Sequence, residues 1–213
     1  LVLFSRGPRP VPLARARQWW PDWSHAVTWR AGLLQGGGSV LYFGTNAFVP
    51  TDLHAVGHPG LVGPCLAALN TAQLGASVVV GLIARRGARP HWLLSLCALS
   101  GVAGLAGLVA SPSTVGVAGC ALVGLSSAMA FVIALALPAL LAEPHDVHRM
   151  AAATSTIAYV AAFIFPLCGG LLWDATGHPA IAFVPAAVGS VLLGCVLWWP
   201  GPSARSLRRL RFN

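Results

Sequence analysis

Four polar side chains, Gln35, Ser39, Tyr42 and Asn46, follow one another at intervals of four, three and four residues in an otherwise apolar stretch. That spacing returns each time to one face of an α-helix and lays amide and hydroxyl groups along it. Asn70, Gln73 and Ser77 form a second such stripe, and Ser155 with Tyr159 a third. Ser126 and Ser127 are the polar residues of another apolar run, and Ser126 is taken as its candidate. The chemistry open to these groups is hydrogen bonding to a small polar solute. A polar side chain at membrane depth is costly unless it faces protein or water. Each residue therefore has two readings, contact with a solute in a wet path and a hydrogen bond between helices.

Bond-making chemistry is not offered. A membrane hydrolase or transferase needs paired acids, a Ser/His/acid set or clustered metal ligands at membrane depth. All seven histidines (His25, His54, His58, His91, His145, His148, His178) fall in loops or at helix ends, and no charged side chain is expected well inside a helix. His145, Asp146 and His148 stand close together, which a short polar loop explains without a metal. The five cysteines (Cys65, Cys97, Cys120, Cys168, Cys195) are scattered through apolar stretches without a C-x-x-C pair and read as small packing residues. The expectation is a protein that is not an enzyme and uses no cofactor or metal.

The elements that must carry the stripes follow from composition. The 213 residues are 56% hydrophobic and 8% charged, with a mean hydropathy of +0.75. A soluble domain carries about a quarter charged residues, so the chain reads as an integral membrane protein, all-α and polytopic. A spanning helix needs about 20 mostly apolar residues. Six stretches supply that length: Arg30 to Leu53, Gly60 to Ala84, Trp92 to Ala110, Val115 to Ala142, Met150 to Trp173 and Ala180 to Trp199. The connections are too short to hold a soluble domain.

All basic charge is arginine, thirteen residues against five acids, for a net charge of +8. Arg6, Arg9, Arg15, Arg17 and Arg30 precede the first helix. Arg85, Arg86 and Arg89 join the second to the third, Arg149 joins the fourth to the fifth, and Arg205, Arg208, Arg209 and Arg211 follow the sixth. The other three connections have none. The positive-inside bias then places both termini in the cytoplasm. Residues 1–29 read as a cytoplasmic lead-in, with 1–4 as the end of a preceding helix, 30–199 as a six-helix domain and 200–213 as a basic cytoplasmic tail. Trp19, Trp20, Trp23 and Trp29 suit the headgroup region. Small residues recur at Gly116, Cys120, Gly124 and Ala128, at Ala182, Ala186, Ser190 and Gly194, and at Gly101, Gly104 and Gly107. Such stripes mark close contact between helices in lipid.

Two further segments carry a resemblance. Phe165-Pro166-Leu167-Cys168-Gly169-Gly170 leads into Leu171-Leu172-Trp173-Asp174-Ala175-Thr176-Gly177, and Arg85-Arg86-Gly87-Ala88-Arg89 links the second and third helices. Together these resemble the C-terminal six-helix half of a major facilitator superfamily transporter. Trp29 through Tyr42 to Pro50, and Pro138 to Gly177, most resemble its cyanate permease and nitroimidazole transporter branch. The arginine turn is a degenerate form of the family's Gly-x-x-x-Asp-Arg-x-Gly-Arg pattern: Gly81 fits its first position and Arg86 its arginine, while Arg85 stands where the aspartate belongs.

The resemblance implies a secondary transporter of small anions or small polar molecules in a bacterial plasma membrane, working by alternating access with an N-terminal six-helix half as partner. It implies that the first and fourth helices line the path, that the second and fifth flank it, and that the third and sixth, Ser190 included, face lipid. Gln35, Ser39, Tyr42, Asn46, Asn70, Gln73, Ser126, Ser155 and Tyr159 become substrate-contact candidates. Arg85, Arg86, Arg89 and Asp174 become gating or anchoring candidates, with plain positive-inside anchors and a helix-flanking turn as the simpler readings. A non-transporting six-helix scaffold, or a truncated remnant of a transporter, is the alternative.

Overall fold

A computed structural model describes residues 20–198, apart from 22 and 87–89. The lead-in up to residue 19, Arg89 and the basic tail lie outside the described residues. Six helices follow in order: α1 (Ala26–Ala55), α2 (Val62–Arg85), α3 (Pro90–Ala110), α4 (Thr114–Leu141), α5 (Val147–Thr176) and α6 (Val184–Trp198). One-turn 3-10 segments at Pro59–Leu61 and Pro179–Phe183 lead into α2 and α6. No strand occurs among the described residues. The helices match the six apolar stretches to within a few residues at each end, except that the sixth stretch begins as the 3-10 segment.

Local chemistry sets several of these ends. Ser113 caps α4 by accepting a hydrogen bond from the Val115 amide at 3.2 Å. Gly177 ends α5 in the left-handed region at φ 68°, and its amide donates to the Trp173 carbonyl at 2.8 Å. The Asp-x-Thr-Gly sequence is thus a helix stop, because only glycine takes that conformation without a Cβ penalty.

Contacts at named residues fix the directions. Gly104 meets Gly119 and Gly116 meets Leu108, so α3 and α4 are antiparallel; Gly37 meets Leu193 and Gly44 meets Ala186, so α1 and α6 are too. Gly32 against Ile157 and Phe48 against Trp173 make α1 and α5 parallel. Alternate helices therefore run in opposite directions, with Arg30, Arg85, Arg86 and Arg149 at one end of the bundle. The main pairings, α1 with α5 and α6 and α4 with α2 and α3, are unchanged when the first three helices exchange with the last three. The sequence carries a trace of this: Ser39, Phe43 and Pro50 of α1 recur as Ser127, Phe131 and Pro138 of α4, each 88 residues later.

The small-residue stripes lie where backbones touch. A Cβ on Gly104 would stand 2.7 Å from the Gly119 carbonyl and one on Gly124 would strike that of Leu69; outside the stripes, one on Gly37 would stand 2.6 Å from the Gly189 carbonyl. Five helices, α2 to α6 with the 3-10 segment ahead of α6, are long and apolar enough to cross a membrane. The 30-residue α1 falls short in apolarity because of its polar stripe and glycines, of which Gln35, Ser39 and the glycines are buried by its neighbours. The lipid-facing expectation for Ser190 is corrected. Its side chain is 1% exposed and donates to the Ala98 carbonyl of α3 at 2.9 Å. The outward face of α6 belongs instead to Val184, Val188 and Val191.

Candidate functional site

Half-way along the helices a cavity of about 320 Å³ opens between α1, α2, α4 and α5. Gly38, Ser39, Tyr42 and Phe43 of α1 face Ser127, Ala128, Phe131 and Val132 of α4, with Gln73 and Ser77 of α2 on one flank and Tyr159 of α5 on the other. The α1/α4 crossing is close because Gly38 has no side chain; a Cβ there would stand 3.2 Å from the Ser127 carbonyl. The two central helices contribute the same Ser-x-x-x-Phe pair, so hydroxyls and rings oppose each other across the opening. Among the described residues no charged side chain lines it.

The α1 stripe divides over this geometry. Ser39 and Tyr42 line the cavity, and the Tyr42 hydroxyl donates to Asn70 Oδ1 at 2.8 Å, joining α1 to α2. Gln73 Nε2 approaches the same Asn70 oxygen at 3.5 Å, while Asn70 Nδ2 donates to the Leu66 carbonyl at 2.8 Å. Asn70 thus orients Tyr42 and Gln73 from outside the lining. Gln35 is buried and its Nε2 approaches Ser155 Oγ at 3.5 Å, an interhelical contact below the cavity. Asn46, half-buried one turn beyond Tyr42, is not among the lining residues.

On α4 the sequence choice fell one residue short. Ser126 is buried toward α3, where a Cβ on Gly101 would lie 3.5 Å from its Oγ, and it donates to the Val123 carbonyl. Ser127 is the serine at the cavity. The recurrence of Ser39 and Phe43 after 88 residues is the signal that identifies it. Sequence reasoning also passed over Phe43 and Phe131, which look like ordinary core residues.

The charged candidates lie at the bundle ends. Arg85 and Arg86 are exposed at the end of α2, and Asp174 is exposed in the last turn of α5, at the opposite end. Among the described residues none of the three forms an ion pair. One acid is buried: Asp52, in the last turn of α1, is only 5% exposed. Arg149, expected in the connection, stands instead in the first turn of α5, where it donates through Nη1 to Asp146 Oδ1 and through Nε to the Trp20 carbonyl, each at 2.7 Å. His145 Nε2 lies 3.3 Å from Asp146 Oδ2. The Arg149 hydrogen bond, helped by the His145, Arg149 and His148 charges, holds the Asp146 carboxyl below its ordinary 3.8. Among the described residues no three His, Cys, Asp or Glu side chains come together as a metal site.

Comparison with protein-family models, curated proteins and solved structures finds no match to this chain.

Proposed function

We propose that this chain is one six-helix half of a secondary transporter for small solutes, of the major facilitator type, with both termini in the cytoplasm. The observation that carries the reading is the cavity: it lies at mid-helix, its described lining comes from α1, α2, α4 and α5, and it presents hydroxyl, amide and aromatic groups. Transporter sites lie near the bilayer midplane between structural repeats, and the exchange symmetry of the pairings supports the same reading. A cavity of this size suits a small molecule, since ligand pockets start at about 300 Å³. With no charge in the lining, the described residues favour an uncharged polar solute. A bare anion would need a cationic partner from elsewhere, because burying an unpaired charge is prohibitive.

Uptake by cells expressing the gene in its natural reading frame tests this, with nitroimidazole as a neutral probe and cyanate as a small anion. Tyr42→Leu and Ser127→Leu each remove a cavity hydroxyl worth about 1 kcal/mol. Each is expected to slow uptake several-fold while the protein remains in the membrane. Entry of neither probe, or equal uptake by the variants, favours the scaffold reading. Orientation is tested separately: cysteines at His58 and His178 should react with an impermeant thiol reagent added outside, and one at Arg86 should not.

A further inference from the structure

Cys65 and Cys120 stand in adjacent parallel helices, three residues into α2 and six residues into α4. Both are fully buried and belong to the same apolar cluster. The register explains the encounter. One turn further along both helices stand Leu69 and Gly124, where a Cβ on Gly124 would strike the Leu69 carbonyl. Two turns further stand Gln73 and Ala128, which line the cavity.

We propose that Cys65 and Cys120 are a disulfide site that staples α2 to α4 at the end of the bundle away from the arginines. A disulfide needs Cβ atoms about 3.5–4.5 Å apart, closer than most helices approach, since axes usually lie about 8–10 Å apart. The Gly124 contact removes that obstacle at this seam. The chemistry is thiol–disulfide exchange with a disulfide-bearing donor. One cysteine thiolate attacks the donor, breaking its S–S bond and releasing one thiolate. The second cysteine then attacks the mixed disulfide and releases the other. The two cysteine protons end on the two released thiols, and the donor is reduced by two electrons. Neither sulfur is accessible in the closed bundle, so exchange belongs to assembly, before α2 settles on α4. The closed bundle then protects the bond. A staple there fixes Gln73 against Ala128 and so holds one wall of the cavity.

That this end meets an oxidising compartment rests on the orientation proposed above, whereas the pairing of the sulfurs does not. The test counts thiols in a chain carrying Cys97→Ala, Cys168→Ser and Cys195→Ser. Protein from cells is blocked with N-ethylmaleimide in detergent, reduced, and tagged with a maleimide polymer of fixed mass. Two tags are expected after reduction, and none with Cys65→Ser or Cys120→Ser. Synthesis in vitro into phosphatidylcholine vesicles with oxidised glutathione present forms the second arm, independent of orientation. Two tags there and none from cells uphold the site and count against the orientation. No tags in either arm overturn the proposal.

Discussion

The helices α1 and α5 are each 30 residues long, run parallel and pack together, yet α1 buries sixteen of its residues and α5 five. The difference explains their compositions. Enclosed by α4, α5 and α6, α1 carries glycines at its contacts and a polar stripe at the cavity, and it falls below the apolarity of a lipid-facing span. On α5 the exposed positions are filled by Tyr159, Phe163, Ile164, Leu167 and Leu171. Apolar content in these helices thus tracks what lies outside them, while the tight backbone contacts and the polar groups at the cavity sit on the less apolar α1.

The sharpest break in this comparison comes from glycine. Gly37→Val on α1 should cost about 3 kcal/mol, because its Cβ meets the Gly189 backbone and backbone cannot rotate away. Gly170→Ala on α5 has open space around the new methyl and should stabilise by up to about 1 kcal/mol through helix propensity. Thermal unfolding in detergent micelles measures both, and equal losses would remove the distinction between the helices. A somewhat smaller contrast is expected on α6. There Ser190→Leu should cost about 2 kcal/mol by overpacking the α3 seam, whereas Val188→Leu on the exposed face should leave the melting temperature unchanged.

Hydrogen bonds give the next step down. Tyr42→Phe deletes the donor to Asn70 and should lower stability by about 1 kcal/mol. Thr156→Val on α5 removes only a bond back to its own helix and should cost nothing. The smallest effect belongs to Asp146. Its folded pKa lies below the ordinary 3.8, so its pairing with Arg149 stabilises the fold above that value. The contribution is lost as pH falls through the lower folded value. Unfolding measured from pH 5 to pH 2 should show a slight acid loss in the native chain that Asp146→Asn removes.

Much of this fold was legible in the sequence because long apolar runs broken by proline, glycine and arginine have few alternatives. The α1 stripe was legible because Ser39 and Tyr42 repeat at helical spacing. Rotation about a helix was less so. Ser126 and Ser127 lie about 100° apart on α4, and only the position of α3 decides which one faces the cavity. Ser190 failed for the same reason, since a serine in an apolar helix does not reveal which neighbour accepts its hydrogen bond. Asp52 lies at the end of the first apolar stretch, where exposure is the ordinary state of an acid, and its burial depends on the helices around it.

The claim that the cavity between α1, α2, α4 and α5 is a wet solute path is tested most directly at adjacent positions of one helix. Single cysteines replace Ser126 and Ser127 in turn, in a chain whose native cysteines are removed, and membranes are treated with a small charged methanethiosulfonate reagent. Cys at position 127 should react at least about tenfold faster than Cys at 126, matching the rates at Ser39→Cys and Ser77→Cys, because charged reagents travel through water and not through packed helix seams. Equal protection at 126 and 127, with Ser39→Cys also unreactive, would contradict the account.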